Sequence, residues 1–410
     1  PNGADLPHDV MMDPSGRLVV TGMMTGTMWL LDPGTGSFEQ VPIPRPQANP
    51  RALHIEPSGD WWVLLGFPRA LAHRSPAGEW AFHSLGVYPH SIAMDRSGGI
   101  WFNDHFSADS TLIFRLDPAT GARRRFAIAP PAGWTRARGT TVPYGLRLGP
   151  DGTVWGTELA GNRLVRLDPV TGSSRAYPLP TSHSGPRRPE VASDGGVWVP
   201  EYANNRVARF DPEGERWEEW ELPVRDALPY IVRLDERRGR VWIGTAGADA
   251  VVLFEPATER FSVIPMPSRN ALIRHMQVDP STGALWGATS PSPSIEPKVF
   301  RVTVPCRRRS AHQEEEAGDQ AEPGEELLPG PGLVAGGPPP RPDEDEPAAA
   351  GVVVVRDRRA GAPVDLDPLD GESGDDVVEG RVGHGIAVDL GAVHEDGGDT
   401  AARHAHTLPV

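Results

Sequence analysis

The chain has few of the residues that would staple it, anchor it or charge it strongly. One cysteine, Cys306, stands among 410 residues. No internal disulfide and no cysteine-based metal cluster can form, and the redox compartment stays open. Lysine occurs once, at Lys298, beside 39 arginines; this points to a GC-rich genome and carries no chemistry. No apolar run approaches the ~18 residues of a membrane span. Residues 307–410 hold nine arginines against 23 acidic residues, a balance of −14 within the chain's −15. The remainder is therefore near neutral. It lacks the basic face that nucleic acid or an anionic membrane surface would need.

What the first 305 residues do have is repetition. The segment "PYGLRLGPDGTVWGTELAGNRLVRLDPVTG" (143–172) is echoed by "PHSIAMDRSGGIWFNDHFSADSTLIFRLDPATG" (89–121). An apolar anchor after a glycine turn recurs at Val19, Trp62, Trp101, Trp155, Trp198, Trp242 and Trp286. The one long interval contains the insertion "AGWTRARGTT" (132–141). After most anchors comes an Asp/Glu-Pro turn such as "DPGTG", "DPATG" or "DPVTG", then an alternating strand ending in proline such as "FEQVPIP" or "SRAYPLP". Each unit reads as four short strands separated by Gly, Pro, Asp and Asn. Four strands per ~43 residues is the arithmetic of a propeller blade, and seven anchors predict a seven-bladed, all-β propeller over residues 1–305.

The seventh unit stops after "KVFRVTVP" (298–305). A seventh blade lacking its outer strand is expected, with the closing strand upstream of Pro1. Residues 306–410 form a separate region. It is acidic and has no Trp, Tyr or Phe, so disorder is the expectation. Its apolar stretches "GVVVV" and "GIAVDLGAV" are short and isolated.

One position at the start of each unit varies in an informative way. It is His8, Arg51, His90, Tyr144, Arg187, Tyr230 and Arg274. Counting outward from the first turn predicts a cross-strand partner fourteen residues on, or fifteen in the last two units: Gly22, Leu65, Asp104, Glu158, Glu201, Thr245 and Thr289. If the first strand is innermost, these seven slots converge on one mouth of the central channel. Two histidines, three arginines and two tyrosines backed by three acids are a poor packing solution there. They suit a small-molecule or anionic substrate carrying carboxylate, phosphate or a polarised carbonyl. For any single pair, such as Arg187 with Glu201, an ordinary cross-strand ion pair is the simpler account; seven polar slots together favour a site. His54, His73, His83 and His183 have no acid at this spacing and read as strand-surface or loop residues. His105, next to Asp104, could contribute.

With these motifs (Pro-His/Tyr, the Asp-Gly turn, Trp-x-x-Glu/Asp and "NRLVRLDPVTG") residues 1–305 resemble the virginiamycin B (streptogramin) lyase family of seven-bladed propellers. The resemblance implies a Mg²⁺-dependent C–O eliminase that linearises cyclic depsipeptide antibiotics. It implies His90 as the base and Asp104 as the acid on the following strand; the slot reading adds Tyr144 and Arg187 as catalytic candidates, Arg187 to hold a developing oxyanion. By their strand position Asp104, Glu158 and Glu201 are the acids available to Mg²⁺, and the remaining slots, His8, Arg51, Tyr230 and Arg274, are expected to contact substrate. The chain departs from the family pattern in two ways. Two residues before His90, where the family has a metal-binding acid, stands Tyr88. The preceding slot, which should hold a second histidine, holds Arg51.

Two other readings remain open. A lactonase of the sugar-lactone type would need a Glu/Asn/Asp metal cage, for which Asn103 and Asn162 are the nearby candidates. A non-catalytic binding or scaffold propeller would use the three arginines to hold an anionic ligand. A monomer is expected in each case.

Overall fold

In the computed structural model, residues 5–107, 110–135, 138–290 and 297–304 are described, together with the backbone of Gly351–Val354 and Gly391–Ala392. Seven antiparallel sheets follow one another around a ring. In each, the strand nearest the axis comes first in the chain. These inner strands are Pro7–Met12, Pro50–Ile55, Pro89–Met94, Pro143–Leu148, Glu190–Val191, Pro229–Asp235 and Ile273–Val278.

The repeated wording of the sequence has a local cause at each turn. In "DPVTG", Asp168 Oδ1 accepts the backbone N–H groups of Val170 (2.8 Å) and Thr171 (3.3 Å). Gly172 closes the turn at φ 77°, a conformation that costs glycine nothing. The anchors lie on the second strands, all buried, and fill the space between sheets. Each core is shared by neighbouring blades. Trp101, Ile113 and Phe126 of blade 3 meet Leu146, Val154 and Val165 of blade 4. Val10, Val20 and Trp29 of blade 1 meet Trp286, Ala288 and Val299 of blade 7, so the ring closes by packing between first and last blades.

The seventh blade corrects one expectation. Its outer place is not vacant: Gly351–Val354 pairs antiparallel with Lys298–Thr303, in the register Phe300↔Val354 to Thr303↔Gly351. Gly391–Ala392 pairs with the other end of the same strand. The two apolar stretches set aside as isolated are the ones that pair. A third strand without a neighbour offers a row of free N–H and C=O groups, and short β-branched segments suit such an edge. The remaining positions of 306–410 lie outside the described residues.

Candidate functional site

The inner strands do not run as simple alternation predicts. In all seven blades the residue before the slot, not the slot itself, faces the expected partner: Pro7↔Gly22, Pro50↔Leu65, Pro89↔Asp104, Pro143↔Glu158, Pro186↔Glu201, Pro229↔Thr245 and Ile273↔Thr289. The register then slips, so that in blades 1, 3 and 4 the slot and its successor oppose one partner residue. This is a β-bulge, and a proline that cannot donate to the ladder sits beside it in six blades.

A side chain on the second strand caps the bulge. Asp9 N–H donates to Thr21 Oγ1 (2.8 Å), Ser91 N–H to Asn103 Oδ1 (2.9 Å) and Gly145 N–H to Thr157 Oγ1 (2.9 Å). The same side chains reach to the next blade: Asn103 Nδ2 donates to Tyr144 O (3.0 Å) and Thr157 Oγ1 to Arg187 O (2.6 Å). Blades approach so closely here that a Cβ on Gly145 would lie 2.6 Å from Arg187 O and 2.1 Å from Pro189. Asn103 is thus committed to the fold. So is Asn162, which donates to Thr181 O (3.0 Å) and accepts from Ser184 N–H (2.7 Å). The cage that a lactonase reading requires is not formed by these two.

The slot side chains do meet. The His8 and His90 rings are 6.2 Å apart, and His90 lies 4.2 Å from the Tyr144 ring. The hydroxyls of Tyr144 and Tyr230 are hydrogen-bonded to each other. Arg187 Nη1 donates to Tyr144 Oη (2.7 Å), and its guanidinium packs over the rings of Tyr144, Tyr202 and Tyr230 at 4.9, 3.7 and 4.7 Å. Arg51 donates to Asn49 Oδ1 (2.9 Å) and lies over Tyr88. Among the described residues, none of Arg51, Arg187 and Arg274 forms an ion pair with a carboxylate. The Nε atoms of Arg187 and Arg274 are buried without a partner.

A backbone carbonyl sets the tautomer of His90. His90 Nδ1 faces the carbonyl of Tyr144 at 2.9 Å, so Nδ1 carries the hydrogen and Nε2 the lone pair. His8 Nδ1 lies 2.9 Å from both Arg51 O and Asp9 Oδ1 but also 3.1 Å from the donor Arg188 Nη2, so donors and acceptors compete for it, and its buried Nε2 has no partner. Burial, then His105, Arg188, His8 and Arg51 hold the His90 imidazole well below its usual range, so it is neutral. Burial and Arg188 bring His8 down to about 3, against the pull of Asp9. His105 stacks on His90 at 4.5 Å and is brought down to about 4, chiefly by burial. In the tyrosine pair, burial works to raise both. Arg274, Arg187 and Arg188 outweigh it at Tyr230 and bring that phenol to about 8, while Tyr144 is raised.

The three acids have other partners. Glu158 receives Arg163 Nε (2.8 Å) and Nη2 (2.6 Å) and the Thr111 hydroxyl (2.7 Å). Glu201 accepts from Ser184 Oγ (2.7 Å), and burial with the nearby Glu219 pushes its carboxyl up to about 8 against that bond. Asp104 accepts the N–H groups of Tyr88 and Phe106, both at 3.3 Å, while burial raises its pKa. The one-residue slip separates each acid from the slot it was matched with. Among the described residues no three His, Cys, Asp or Glu side chains form a group able to hold a metal ion. A magnesium ion does not fit Asp104, Glu158 and Glu201 as they stand.

Two further rings escaped the sequence reading. The bulge turns the residue after the slot toward the axis. Arg188 donates across the channel to Asp9 Oδ1 (2.8 Å), and His275 Nδ1 bonds Val10 O (3.0 Å). Three residues after the slot come Arg147, Glu190 and Arg233, deeper in the channel. The recurring proline before the slot was the available signal for both.

Residues 135–296 match the model of the virginiamycin B lyase family. That match covers blades 4 to 6 and the start of blade 7, and within it lie Tyr144, Arg187, Tyr230 and Arg274. Among solved structures, a streptogramin B lyase superposes with TM-score 0.63 at 21% identity, covering 70% of this chain and 92% of that one. The selenomethionine form of the Staphylococcus aureus virginiamycin B lyase gives 0.60 at 20% identity, over 70% and 92%. A catalytically inactive histidine-to-alanine form of the same enzyme, solved with quinupristin, gives 0.61 at 19% identity, over 70% and 93%. At these identities the superpositions establish the fold. No curated protein sequence matches the chain.

Proposed function

We propose that the slot mouth is a general-base C–O lyase site for a cyclic ester that bears, or develops, negative charge. The observation that carries this reading is the pairing of His90 Nε2, a neutral base with its lone pair free, with arginines that lack carboxylate partners. The match to a family of lyases supports the reaction class.

In this elimination the chain's own residues move the proton and hold the developing charge. His90 Nε2 takes a proton from a carbon beside a carbonyl. That electron pair forms the C=C bond, and the C–O bond on the adjacent carbon breaks. The ring oxygen leaves as a carboxylate. Arg187, fixed by Tyr144 Oη, faces the charge that grows on the carbonyl oxygen, and Arg51 and Arg274 receive the departing carboxylate. A depressed pKa makes His90 a weak base but keeps it unprotonated at neutral pH; the arginines offset the weakness by stabilising the anion that forms. The tyrosine pair, with one phenol near 8, can return the proton.

Elimination leaves product and substrate with the same mass. Incubation with a streptogramin B-type cyclic depsipeptide should therefore give a ring-opened product of unchanged mass, lost in His90→Ala. A product heavier by one water would mean hydrolysis and overturn the lyase assignment. One observation favours a second reading, a non-catalytic receptor for an anion: His90 is only 2% exposed. Tight binding of the depsipeptide with no conversion would select it.

A further inference from the structure

At the other end of the channel lies a cavity of about 300 Å³, at the lower limit of ligand pockets. Its polar wall is Arg147, Glu190 and Arg233, with Asp9 and Arg188 as a floor that parts it from the slot ring. Met11, Ile92, Met94 and Leu148 supply an apolar side. His54, which the sequence placed on a strand surface, lines it too, and burial lowers the pKa values of His54 and His275.

The charges here do not balance. Arg188 is matched by Asp9 at 2.8 Å. Glu190 Oε2 alone receives both Arg233 Nη1 (2.7 Å) and Arg147 Nε (3.3 Å). The other bonds of Arg233 go to neutral acceptors: Met276 O (2.7 Å), Val232 O (2.9 Å) and His275 Nε2 (2.7 Å). Arg188 Nε is buried with no partner at all. Three guanidinium groups thus share two carboxylates inside a confined space, where an uncompensated cation is strongly disfavoured. Burial, reinforced by Arg147 and opposed by Glu190, accordingly brings Arg233 down to about 9.

We infer that this cavity is a second binding site, separate from the slot mouth, for a small organic monocarboxylate with a short apolar chain. One negative charge completes the balance of the wall, and the methionine, isoleucine and leucine side chains cover the chain. An inorganic anion would satisfy the first feature and waste the second.

Butyrate is a suitable probe, titrated into the full-length protein by calorimetry at constant ionic strength, with chloride, phosphate and acetate as comparators. Butyrate should bind more tightly than all three. Arg147→Gln, which alters a half-buried side chain, should weaken it about tenfold. Glu190→Gln removes the competing carboxylate and should tighten it about tenfold. Arg187→Ala, at the opposite mouth, should leave the Arg147-dependent binding unchanged. The inference fails if butyrate binds no better than chloride or phosphate, if Glu190→Gln weakens binding, or if Arg187→Ala abolishes it. Should Glu190→Gln not fold, an undiminished affinity in Arg147→Gln still refutes the site. None of these outcomes depends on the lyase reading.

Discussion

The two ends of the channel are built from the same seven strands and differ in how their charges are partnered. At the slot mouth, Arg51, Arg187 and Arg274 pair with no carboxylate among the described residues, and His8 Nε2 is buried and bare. Three residues further along, Arg147 and Arg233 converge on one carboxylate, and Arg188 is already locked to Asp9. The first end presents a free base beside free cations, the requirement for proton abstraction from a carbon acid. The second is nearly neutralised, the requirement for holding one small ion. A single extra residue per strand, the bulge beside the proline, decides which side chains reach which end.

The largest expected effect separates the ends by chemistry. His90→Ala should lower turnover by roughly 10²–10⁴, the usual share of general-base catalysis, whereas Arg147→Gln should leave turnover within twofold. Equal losses in both variants, measured on the depsipeptide, would erase the distinction. Next, Arg187→Ala should weaken carboxylate binding at the slot mouth by about 1.5–3 kcal/mol, the range for hydrogen bonds to charged groups. Competition against the depsipeptide reads this out. A third test concerns the tyrosines. An ultraviolet pH titration should show one phenol ionising near pH 8. Arg274→Gln, which removes the leading cation acting on Tyr230, should move that step upward; no step below the ordinary tyrosine range would mean that the cations do not act on the pair.

The smallest effect tests where Glu201 lies. Its folded pKa, about 8, exceeds its ordinary value of 4.5. A raised carboxyl pKa makes the folded state progressively less favoured as pH rises from about 4.5 to about 8, because the unfolded chain gives up the proton first. Thermal unfolding of the wild type should show that decline, and Glu201→Gln should reduce it. A carboxylate paired with Arg187 would behave in the opposite sense, losing stability as pH falls.

The blades themselves were legible because a turn recurs, as at Asp32/Gly36, Asp117/Gly121 and Asp168/Gly172, with an Asp to accept N–H groups and a glycine at positive φ. The seven anchors from Val19 to Trp286 announced the seven interfaces for a similar reason, since apolar side chains mark the second strand. The slots were legible through their proline. The acids were not, because counting from the turn assumes an unbroken ladder, and the bulge shifts Glu158 opposite Pro143 and into the grip of Arg163. Arg188, which donates across the axis, was invisible for the same reason: strict alternation points it away from its neighbour Arg187. The fourth strand of blade 7 lay beyond the repeat, in a stretch judged by composition, and pairing of Gly351–Val354 depends on a distant edge that local pattern cannot reveal.

Proton abstraction by His90 requires a neutral imidazole with its lone pair on Nε2 at the slot mouth. Nitrogen-15 NMR of the histidine side chains in uniformly labelled protein, recorded from pH 5 to pH 8, tests this directly. The geometry predicts that His90 and His8 stay neutral throughout, that the His90 hydrogen sits on Nδ1, and that Tyr144→Phe leaves the His90 tautomer intact because the backbone carbonyl sets it. An imidazolium at either position above pH 6, or a hydrogen on His90 Nε2, would contradict the assignment of His90 as the base.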